Sequence, residues 1–211
     1  MAHELMAHEL MAHKLMAHEF DYDLIALGAG SGGLSVVERA ASYGQRCAVV
    51  ERGKMGGTCV NVGCVPKKIM WFGANLAEMI EDAKGYGYDL TRNSFDWSKL
   101  VAKREKYISG INTWYHGYLK ELGIDEIVGE ARFIDANTIA VDGKHYSARD
   151  IVISTGTEPS LPDIPGVEHA ITSDGFFALE QQPERVAIVG SGYIAVQLAG
   201  VLAALGTEVS L

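Results

Sequence analysis

Cysteine, proline and basic residues are scarce in this sequence. Its 211 residues include three cysteines, five prolines, and 18 lysines and arginines against 27 aspartates and glutamates. The net charge of −9 argues against a nucleic-acid partner, which needs a basic face. Three cysteines do not make the disulfide framework of a small secreted domain. We therefore expect a protein of the reducing cytoplasm, where a disulfide is more often catalytic than structural.

Long hydrophobic runs are also missing. The longest apolar stretch, YIAVQLAGVLAALG, is too short for a membrane span and contains Gln197. The amino terminus has no cationic start followed by an apolar block, so we expect neither a signal peptide nor a membrane partner. By contrast, the sequence is rich in glycine, with 24 residues of which several lie in tight clusters. Such clusters indicate loops where the backbone approaches a ligand.

The first twenty residues, MAHELMAHELMAHKLMAHEF, repeat one five-residue unit and carry four of the seven histidines, His3, His8, His13 and His18. One interpretation is a metal-binding tail, and the other is a duplicated start region outside the fold. Five residues on a helix advance about 140° beyond a full turn, so the histidines share no helical face. Because metal sites need convergent ligands, we favour a disordered tail without a metal site.

From Asp21 onward the pattern is that of an α/β protein. YDLIALGAGSGG is an apolar strand running into a glycine turn, LSVVERAASYG has helical spacing, and QRCAVVE is a second strand that ends on Glu51. Helices are predicted over 67–83 and 97–121. Short strands follow, among them KHYSA and DIVIST as separate strands after a turn at Asp142-Gly143. We predict a Rossmann-like three-layer domain with a parallel sheet over 21–159. An incomplete second Rossmann-like unit is predicted over 160–211, where RVAIVGSGYIAVQLAGVLAALGTEVSL repeats the plan.

Two glycine fingerprints predict dinucleotide sites. In the first, Gly28, Gly30 and Gly33 stand between a strand and a helix, and Glu51 ends the next strand. The glycines would allow a tight turn, the approach of a pyrophosphate and close packing of the helix, while the acid accepts hydrogen bonds from a ribose. The second is GSGYIA, residues 190–195, with alanine in the third place. Two such units suggest two dinucleotides, one passing electrons to the other.

The segment GGTCVNVGCVPKK, residues 56–68, places Cys59 and Cys64 five positions apart. They could be a zinc half-site, a structural pair or a redox pair. Structural zinc needs four ligands, and the third cysteine, Cys47, lies in an apolar strand. Cα atoms five apart in a regular helix are about 8–9 Å apart, whereas a disulfide needs about 4.4–6.8 Å. The segment must be distorted to close a disulfide, which Gly63 makes easy, and a strained disulfide favours a redox role.

GGTCVNVGCVPKKIMW resembles the active-site segment of the pyridine nucleotide-disulfide oxidoreductases, above all the bacterial members that reduce oxidised glutathione. GAGSGG, ISTGTEP, SDGFFAL and GSGYIAV agree, and the resemblance covers residues 21–211. It implies that FAD binds the predicted domain over 21–159 and that NADPH binds the incomplete domain over 160–211. Electrons would pass from NADPH through FAD to a Cys59–Cys64 disulfide and then to oxidised glutathione. The resemblance implies that Cys59 attacks the substrate and Cys64 faces the flavin; another substrate, such as thioredoxin, is the alternative.

The resemblance also assigns binding residues. Lys67 would act beside the flavin with the two cysteines, and Tyr193 would cover the nicotinamide pocket. The residues that it places against the nucleotides are Gly28, Gly30, Ser31, Gly32, Gly33, Glu51, Thr58, Cys59, Lys67, Ala131, Thr155 and Gly156 for FAD, and Gly190, Gly192, Tyr193 and Ile194 for NADPH. It places Ser31 and Tyr115 at the glutathione site, although Tyr115 is equally compatible with a core tyrosine.

Three departures from the family qualify this prediction. Gln197 stands where the family usually has a glutamate that pairs with Lys67, and a neutral amide cannot offset the lysine charge. Glu38 stands where some relatives have an arginine near the glutathione carboxylate. The chain also lacks the family's carboxy-terminal half, with its dimer interface and its activating histidine, which none of His116, His145 and His169 matches. We expect a homodimer for a full-length parent, and a flavin-binding fragment without turnover for the 211 residues alone.

Overall fold

The computed structural model of the chain describes residues 19–211. The four tail histidines lie outside the described residues, so the disordered, metal-free tail stays a prediction. The chain forms two compact units. Of the described residues, one unit contains those up to Gly53 together with Tyr118–Thr155, and the other contains Lys54–Gly117 together with Gly156–Leu211. This division does not test the domain boundary that we expected near residue 160, which stays a prediction.

The first unit is built on a six-stranded sheet. Its strands, in chain order, are β1 (Tyr22–Leu27), β2 (Cys47–Glu51), β3 (Asp125–Val128), β4 (Ala131–Phe133), β5 (Thr138–Val141) and β6 (Lys144–Ile153). The spatial order is β3-β2-β1-β6-β5-β4. β3, β2, β1 and β6 pair in parallel, and β5 is antiparallel to both of its neighbours. The predicted α/β class is confirmed, and the sheet that we predicted to be parallel is parallel except at β5 and β4.

Strand β6 combines two segments that the sequence pattern separated, KHYSA and DIVIST. Its first residues, Lys144–Ser147, pair with β5, and its later residues, from Ala148 to Ile153, pair with β1. Because a partner is present along both halves, the strand runs unbroken for ten residues. The turn before it lies at Asp142 and Gly143, both with positive φ, as the sequence predicted.

Helix α1 (Ser31–Ser42) connects β1 to β2 in the first unit. It buries Gly33, Leu34 and Val37, which share one helical face, and Gly44 follows its end with φ of +79°. The four residues CAVV of β2 are fully buried, as expected of a strand inside a parallel sheet. The core of this unit consists of aliphatic side chains from β1, β2, β3, β5 and β6.

The second unit is mainly helical. Its elements are α2 (Gly57–Val62), α3 (Cys64–Asp82), a 3₁₀ turn (Ala83–Tyr86), α4 (Trp97–Glu121, whose last residues belong to the first unit), a second 3₁₀ turn (Val167–His169), α5 (Ser173–Phe177), β7 (Arg185–Ala187), α6 (Tyr193–Leu205) and β8 (Glu208–Ser210). Helix α3 begins three residues earlier than predicted. Pro66 is compatible with this start because a first-turn N–H has no helical partner.

The core of the second unit contains one buried charge, Arg104 of α4, whose side chain is 1% exposed. Its guanidinium donates to the Phe177 carbonyl at 2.7 Å and contacts Met70 Sδ at 3.1 Å, which joins α4 to α5 and α3. It also forms an ion pair with Glu105 at 2.8 Å. Around it lies an apolar cluster that includes Met70, Trp97 and Phe176. Among the described residues, no helix is both long and apolar enough to span a membrane.

Candidate functional site

The first glycine fingerprint forms a tight turn at the carboxyl edge of the parallel strands. Gly28 has φ of +100°, and a Cβ added there would lie 2.5 Å from the Ser154 carbonyl oxygen. A Cβ added at Gly33 would lie 1.8 Å from the Gly28 carbonyl oxygen. Both positions therefore require glycine, because the strand, the turn and α1 approach each other at backbone distance.

The amino terminus of α1 directly follows this turn, and the first N–H groups of a helix have no partner within the helix. Gly30 is the N-cap residue and has no side chain with which to cap the helix. Ser31, the first helical residue, and Gly32 are exposed. A helix start of this kind, at the point where β2 and β6 flank β1, can hold a phosphate group.

Glu51 ends β2, and its carboxylate connects the glycine turn after β1 with the loop after β2. One oxygen accepts the Ala29 N–H at 2.8 Å, and the other accepts the Gly53 N–H at 2.7 Å. Each carboxylate oxygen has a second lone pair, so the group can still accept a ribose hydroxyl. The structure thus gives Glu51 a part in shaping the turn, in addition to the ribose contact that the sequence predicted.

Ser154 is a residue at this edge that sequence reasoning missed. It follows β6, and its hydroxyl lies 2.8 Å from the Leu27 carbonyl oxygen and 3.2 Å from that of Gly28. The side chain therefore braces the glycine turn from the neighbouring strand. A serine at the end of a predicted strand was the only available signal, and the sequence did not reveal that β6 pairs with β1.

The other predicted flavin contacts are distributed over both units. Ala131 begins β4, two residues after Gly129, whose N–H donates to the Glu51 carbonyl at 2.9 Å. Thr155 follows Ser154 in the first unit and is exposed, while Gly156 has φ of +77° and belongs to the second unit. Thr58 lies on α2 and is exposed. The flavin roles of these residues stay predictions.

The second fingerprint also lies between a strand and a helix. β7 and β8 pair in parallel, and α6 connects them. Gly190 has φ of +119°, and Gly192 is the N-cap of α6. Tyr193 and Ile194 begin the helix and are 73% and 43% exposed. The predicted strand–turn–helix–strand plan is confirmed, and the nucleotide contacts of these residues stay predictions.

The two cysteines of residues 56–68, which we call the thiol segment, belong to different helices. α2 ends at Val62, Gly63 adopts φ −145° and ψ −118°, and α3 begins at Cys64. A Cβ on Gly63 would lie 2.7 Å from the Thr58 carbonyl oxygen, so glycine allows this sharp break. The distortion that the cysteine spacing demanded is therefore a one-residue interruption between helices. Both cysteines are free thiols here, with Cys59 half-buried and Cys64 exposed.

Across this break the two thiols interact directly. Burial raises the pKa of the Cys59 thiol above its usual value, and its hydrogen bond with the Cys64 side chain raises it further. The Cys64 backbone N–H, at the start of α3, and the charge of Lys67 act in the opposite direction. The sulfur of Cys59 therefore faces both a neighbouring thiol and groups that stabilise a thiolate.

Lys67 lies one turn into α3, and its ammonium donates to Gln197 Oε1 of α6 at 2.6 Å. The two residues are 130 positions apart, and the family resemblance had put Gln197 at the position of the usual partner of this lysine. Because Gln197 is a neutral amide, this contact does not offset the charge of the lysine.

An open cavity of about 580 Å³ lies along α4 in the second unit, lined by Lys103, Lys106, Tyr107, Gly110, Ile111 and Trp114. It combines two cationic side chains with exposed aromatic rings. Tyr115, the predicted glutathione residue, is the next residue of α4 and is half-buried. Its ring contacts that of Trp114 edge-on, with centroids 5.0 Å apart. Its substrate contact stays a prediction, as does that of Ser31.

Comparison with known proteins agrees with this geometry. The model of one family, pyridine nucleotide-disulphide oxidoreductase, matches residues 22–211. The chain is 47% identical over 204 residues to a glutathione reductase of Yarrowia lipolytica, with 90% of this chain and 43% of the relative covered. It is 40% identical to a glutathione reductase of Nostoc sp. over 90% of the chain and 42% of the relative. For a glutathione reductase of Schizosaccharomyces pombe the identity is 48%, over 89% and 42%. The chain thus spans about two fifths of the length of these curated relatives.

Proposed function

The chain belongs to the pyridine nucleotide-disulphide oxidoreductase family. From this premise we propose that it functions in an NADPH-dependent, FAD-containing glutathione-disulfide reductase. The observation that carries the proposal is the pair of neighbouring thiols, Cys59 near the end of α2 and Cys64 at the start of α3, on the two sides of the break at Gly63. Two thiols in direct contact can form and release a disulfide, which an isolated thiol cannot do.

The thiol pair would reduce its substrate in two exchanges. The Cys59 thiolate attacks one sulfur of glutathione disulfide, which breaks the substrate S–S bond and releases one glutathione. Cys64 then attacks the Cys59 sulfur of the mixed disulfide, which releases the second glutathione and leaves a Cys59–Cys64 disulfide. The two thiol protons end on the two glutathione molecules, and two electrons leave the protein. The choice of Cys59 as the attacking thiol rests on the family resemblance.

The first unit fits a flavin dinucleotide. The glycines of the Gly28 turn leave backbone at the surface, the start of α1 offers N–H groups to a pyrophosphate, and Glu51 retains acceptor capacity for a ribose. Ser31, Thr58, Ala131, Thr155 and Gly156 would complete the FAD contacts. When bound, FAD supplies a two-electron carrier between a nicotinamide and a dithiol.

The turn between β7 and α6 would hold the pyrophosphate of NADPH. Gly190 and Gly192 leave the start of α6 open, and Tyr193 and Ile194 stand at its first turn. Lys67 would keep a positive charge beside the flavin, since its partner Gln197 is uncharged.

Glutathione disulfide is an anionic substrate at neutral pH, because each half carries two carboxylates and one amine. Lys103 and Lys106 in the α4 cavity supply charges of the complementary sign, and Tyr115 lies next to that cavity in sequence. These cations support glutathione over a neutral disulfide. We further propose a cytoplasmic homodimer, on the strength of the family resemblance.

Trapping of the mixed disulfide tests this proposal. Each protein is reduced, freed of reductant and mixed with glutathione disulfide, and adducts are counted by mass spectrometry. We expect a stable glutathione adduct on Cys59 in Cys64→Ser, because the resolving thiol is absent. The unsubstituted protein should release it and end as an internal disulfide. Cys47→Ser, which removes a buried thiol, is the matched control. A Cys64→Ser protein without an adduct, or with the adduct elsewhere, would contradict the proposed reaction.

A further inference from the structure

Two asparagine side chains link α4 to the thiol segment. Asn112 lies on α4, and its amide nitrogen donates to the Met55 carbonyl at 2.7 Å and to Asn61 Oδ1 at 3.1 Å. Asn61 lies on α2, two residues after Cys59, and its amide nitrogen donates to the carbonyls of Met55 and Gly57, both at 2.9 Å. All four residues belong to the second unit.

In this network the side-chain amide groups of Asn61 and Asn112 use all of their hydrogen-bond donors. A side-chain amide nitrogen has two protons, and each of the two amides uses both. The Met55 carbonyl has two lone pairs and accepts one bond from each asparagine. Met55 is 4% exposed, so water has little access to compete for its carbonyl. Hydrogen bonds shielded in this way contribute more to rigidity than exposed ones.

The backbone that the network holds is unusual. Gly56 and Gly57 have φ of +91° and +58°, and they lead directly into α2. A Cβ on Gly56 would lie 2.5 Å from a methyl carbon of Val60, so the turn is closed tightly over the first helical turn. Two successive glycines are flexible in the absence of restraints. The restraints here are the amide hydrogen bonds to the residues on either side of Gly56.

We propose that Asn112 is a positioning residue for the reactive thiol. Its amide fixes the segment from Met55 to Asn61 on α4, and thereby fixes the distance and angle at which Cys59 meets Cys64. The same two turns of α4 carry the cavity residues Tyr107 and Trp114. A substrate bound along this face of α4 would therefore lie at a fixed position relative to Cys59. The inference builds on the proposed function, since it assumes that the two cysteines act as a redox pair.

The test measures disulfide formation without any cofactor. The protein is equilibrated in buffers of reduced and oxidised glutathione, and the fraction of Cys59–Cys64 disulfide is read by alkylation and mass spectrometry. One glutathione disulfide is consumed and two glutathione thiols appear for each internal disulfide formed. The equilibrium constant reports the effective concentration of one thiol at the other, which depends on how well the pair is held in place.

Asn112→Leu removes both hydrogen bonds and changes no charge. We expect the equilibrium constant to fall about tenfold, because the thiol pair is held less well once the Asn112 hydrogen bonds are lost. Tenfold corresponds to the net free energy of one to two hydrogen bonds. Asn112→Ser, which stays polar but cannot reach Met55, should show a similar fall and replaces the leucine variant if that variant does not fold. Asn112→Gln keeps the amide donors and should recover part of the loss. Asn75→Leu on α3 is the matched control, because the Asn75 amide donates to Met79 Sδ within its own helix.

The outcomes separate the two proposals. An unchanged constant in folded Asn112→Leu and Asn112→Ser overturns the positioning role and leaves the proposed function standing. An equal fall in Asn75→Leu shows a general loss of stability and also overturns it. A parent protein that forms no internal disulfide in any of the buffers overturns both proposals together.

Discussion

Gln197→Glu is the substitution that probes the charge around the thiols most directly. It changes one neutral group into a carboxylate while preserving the size of the side chain. In the structure the Gln197 oxygen lies 2.6 Å from the Lys67 ammonium, so the new carboxylate would form an ion pair with that lysine. Two opposite charges this close appear as a dipole from a distance, and the net field of Lys67 at Cys59 would largely vanish.

The magnitude follows from the exposure of the groups. Lys67 is half-buried and Gln197 is exposed, so solvent screens their fields. At such sites a charge pair contributes at most about 1 kcal/mol, or about 0.7 of a pKa unit. The charge of Lys67 now lowers the pKa of Cys59, against the stronger effects of burial and Cys64. Cancelling most of that charge should raise the pKa of Cys59 by about half a unit.

The assay is the pH dependence of Cys59 alkylation by iodoacetamide, in a Cys47→Ser, Cys64→Ser background if the signals overlap. The thiolate is the reactive form, so a higher pKa means slower alkylation at neutral pH. We expect an approximately threefold slower rate at pH 7, a profile displaced to higher pH, and equal rates at high pH. With FAD bound, the flavin potential should become about 20 mV more negative, since a less positive surrounding stabilises the reduced anion less.

Two controls distinguish charge from hydrogen bonding. Gln197→Leu removes the bond to Lys67 without adding a charge, and should leave the alkylation profile much closer to that of the parent. Gln181→Glu makes the same chemical change at an exposed position in the same unit. The reasoning is refuted if Gln197→Glu leaves the profile and the potential unchanged, or moves the profile to lower pH.

Three further outcomes follow from the geometry. Gly33→Ala should reduce FAD affinity at least tenfold and lower the melting temperature, because its Cβ would lie 1.8 Å from a backbone oxygen; equal binding by titration would contradict the tight turn. Ser154→Ala should weaken FAD binding about fivefold through the loss of a hydrogen bond worth about 1 kcal/mol. Ser42→Ala, which removes a hydroxyl bonded to the Arg39 carbonyl at the other end of α1, provides the comparison. In the reduced protein the alkylation of Cys59 should rise with pH with a midpoint above that of the same cysteine in the unfolded chain, because burial raises its pKa. A midpoint below that of the unfolded chain would show that Lys67 and the Cys64 N–H dominate.

The local patterns of this sequence predicted much of the fold. The two strand–turn–helix–strand units, the helix over 97–121 and the turn at Asp142-Gly143 depend on neighbouring residues, on apolar periodicity and on glycine. The same holds for the thiol segment, where spacing alone showed that a regular helix could not bring the cysteines together. Gly63 was the evident place for the break, and the structure has it there.

The exact length of β6 and the burial of Arg104 were not available from such patterns. A strand continues as long as it has partners, and β6 has one partner in each half. Arginine is rarely buried, so no local signal marked Arg104 as the residue that joins three helices.

The sequence alone was enough to predict the α/β class, the two glycine turns and the break between Cys59 and Cys64, because glycine geometry and cysteine spacing act over a few residues. Tertiary structure alone decided which distant side chains complete these features. Ser154 meets the turn at Gly28 across 126 positions, Asn112 meets Asn61 across 51, and Lys67 meets Gln197 across 130. Side-chain hydrogen bonds act only over about 3 Å, so such partners are set by strand order and helix packing, which one sequence does not display.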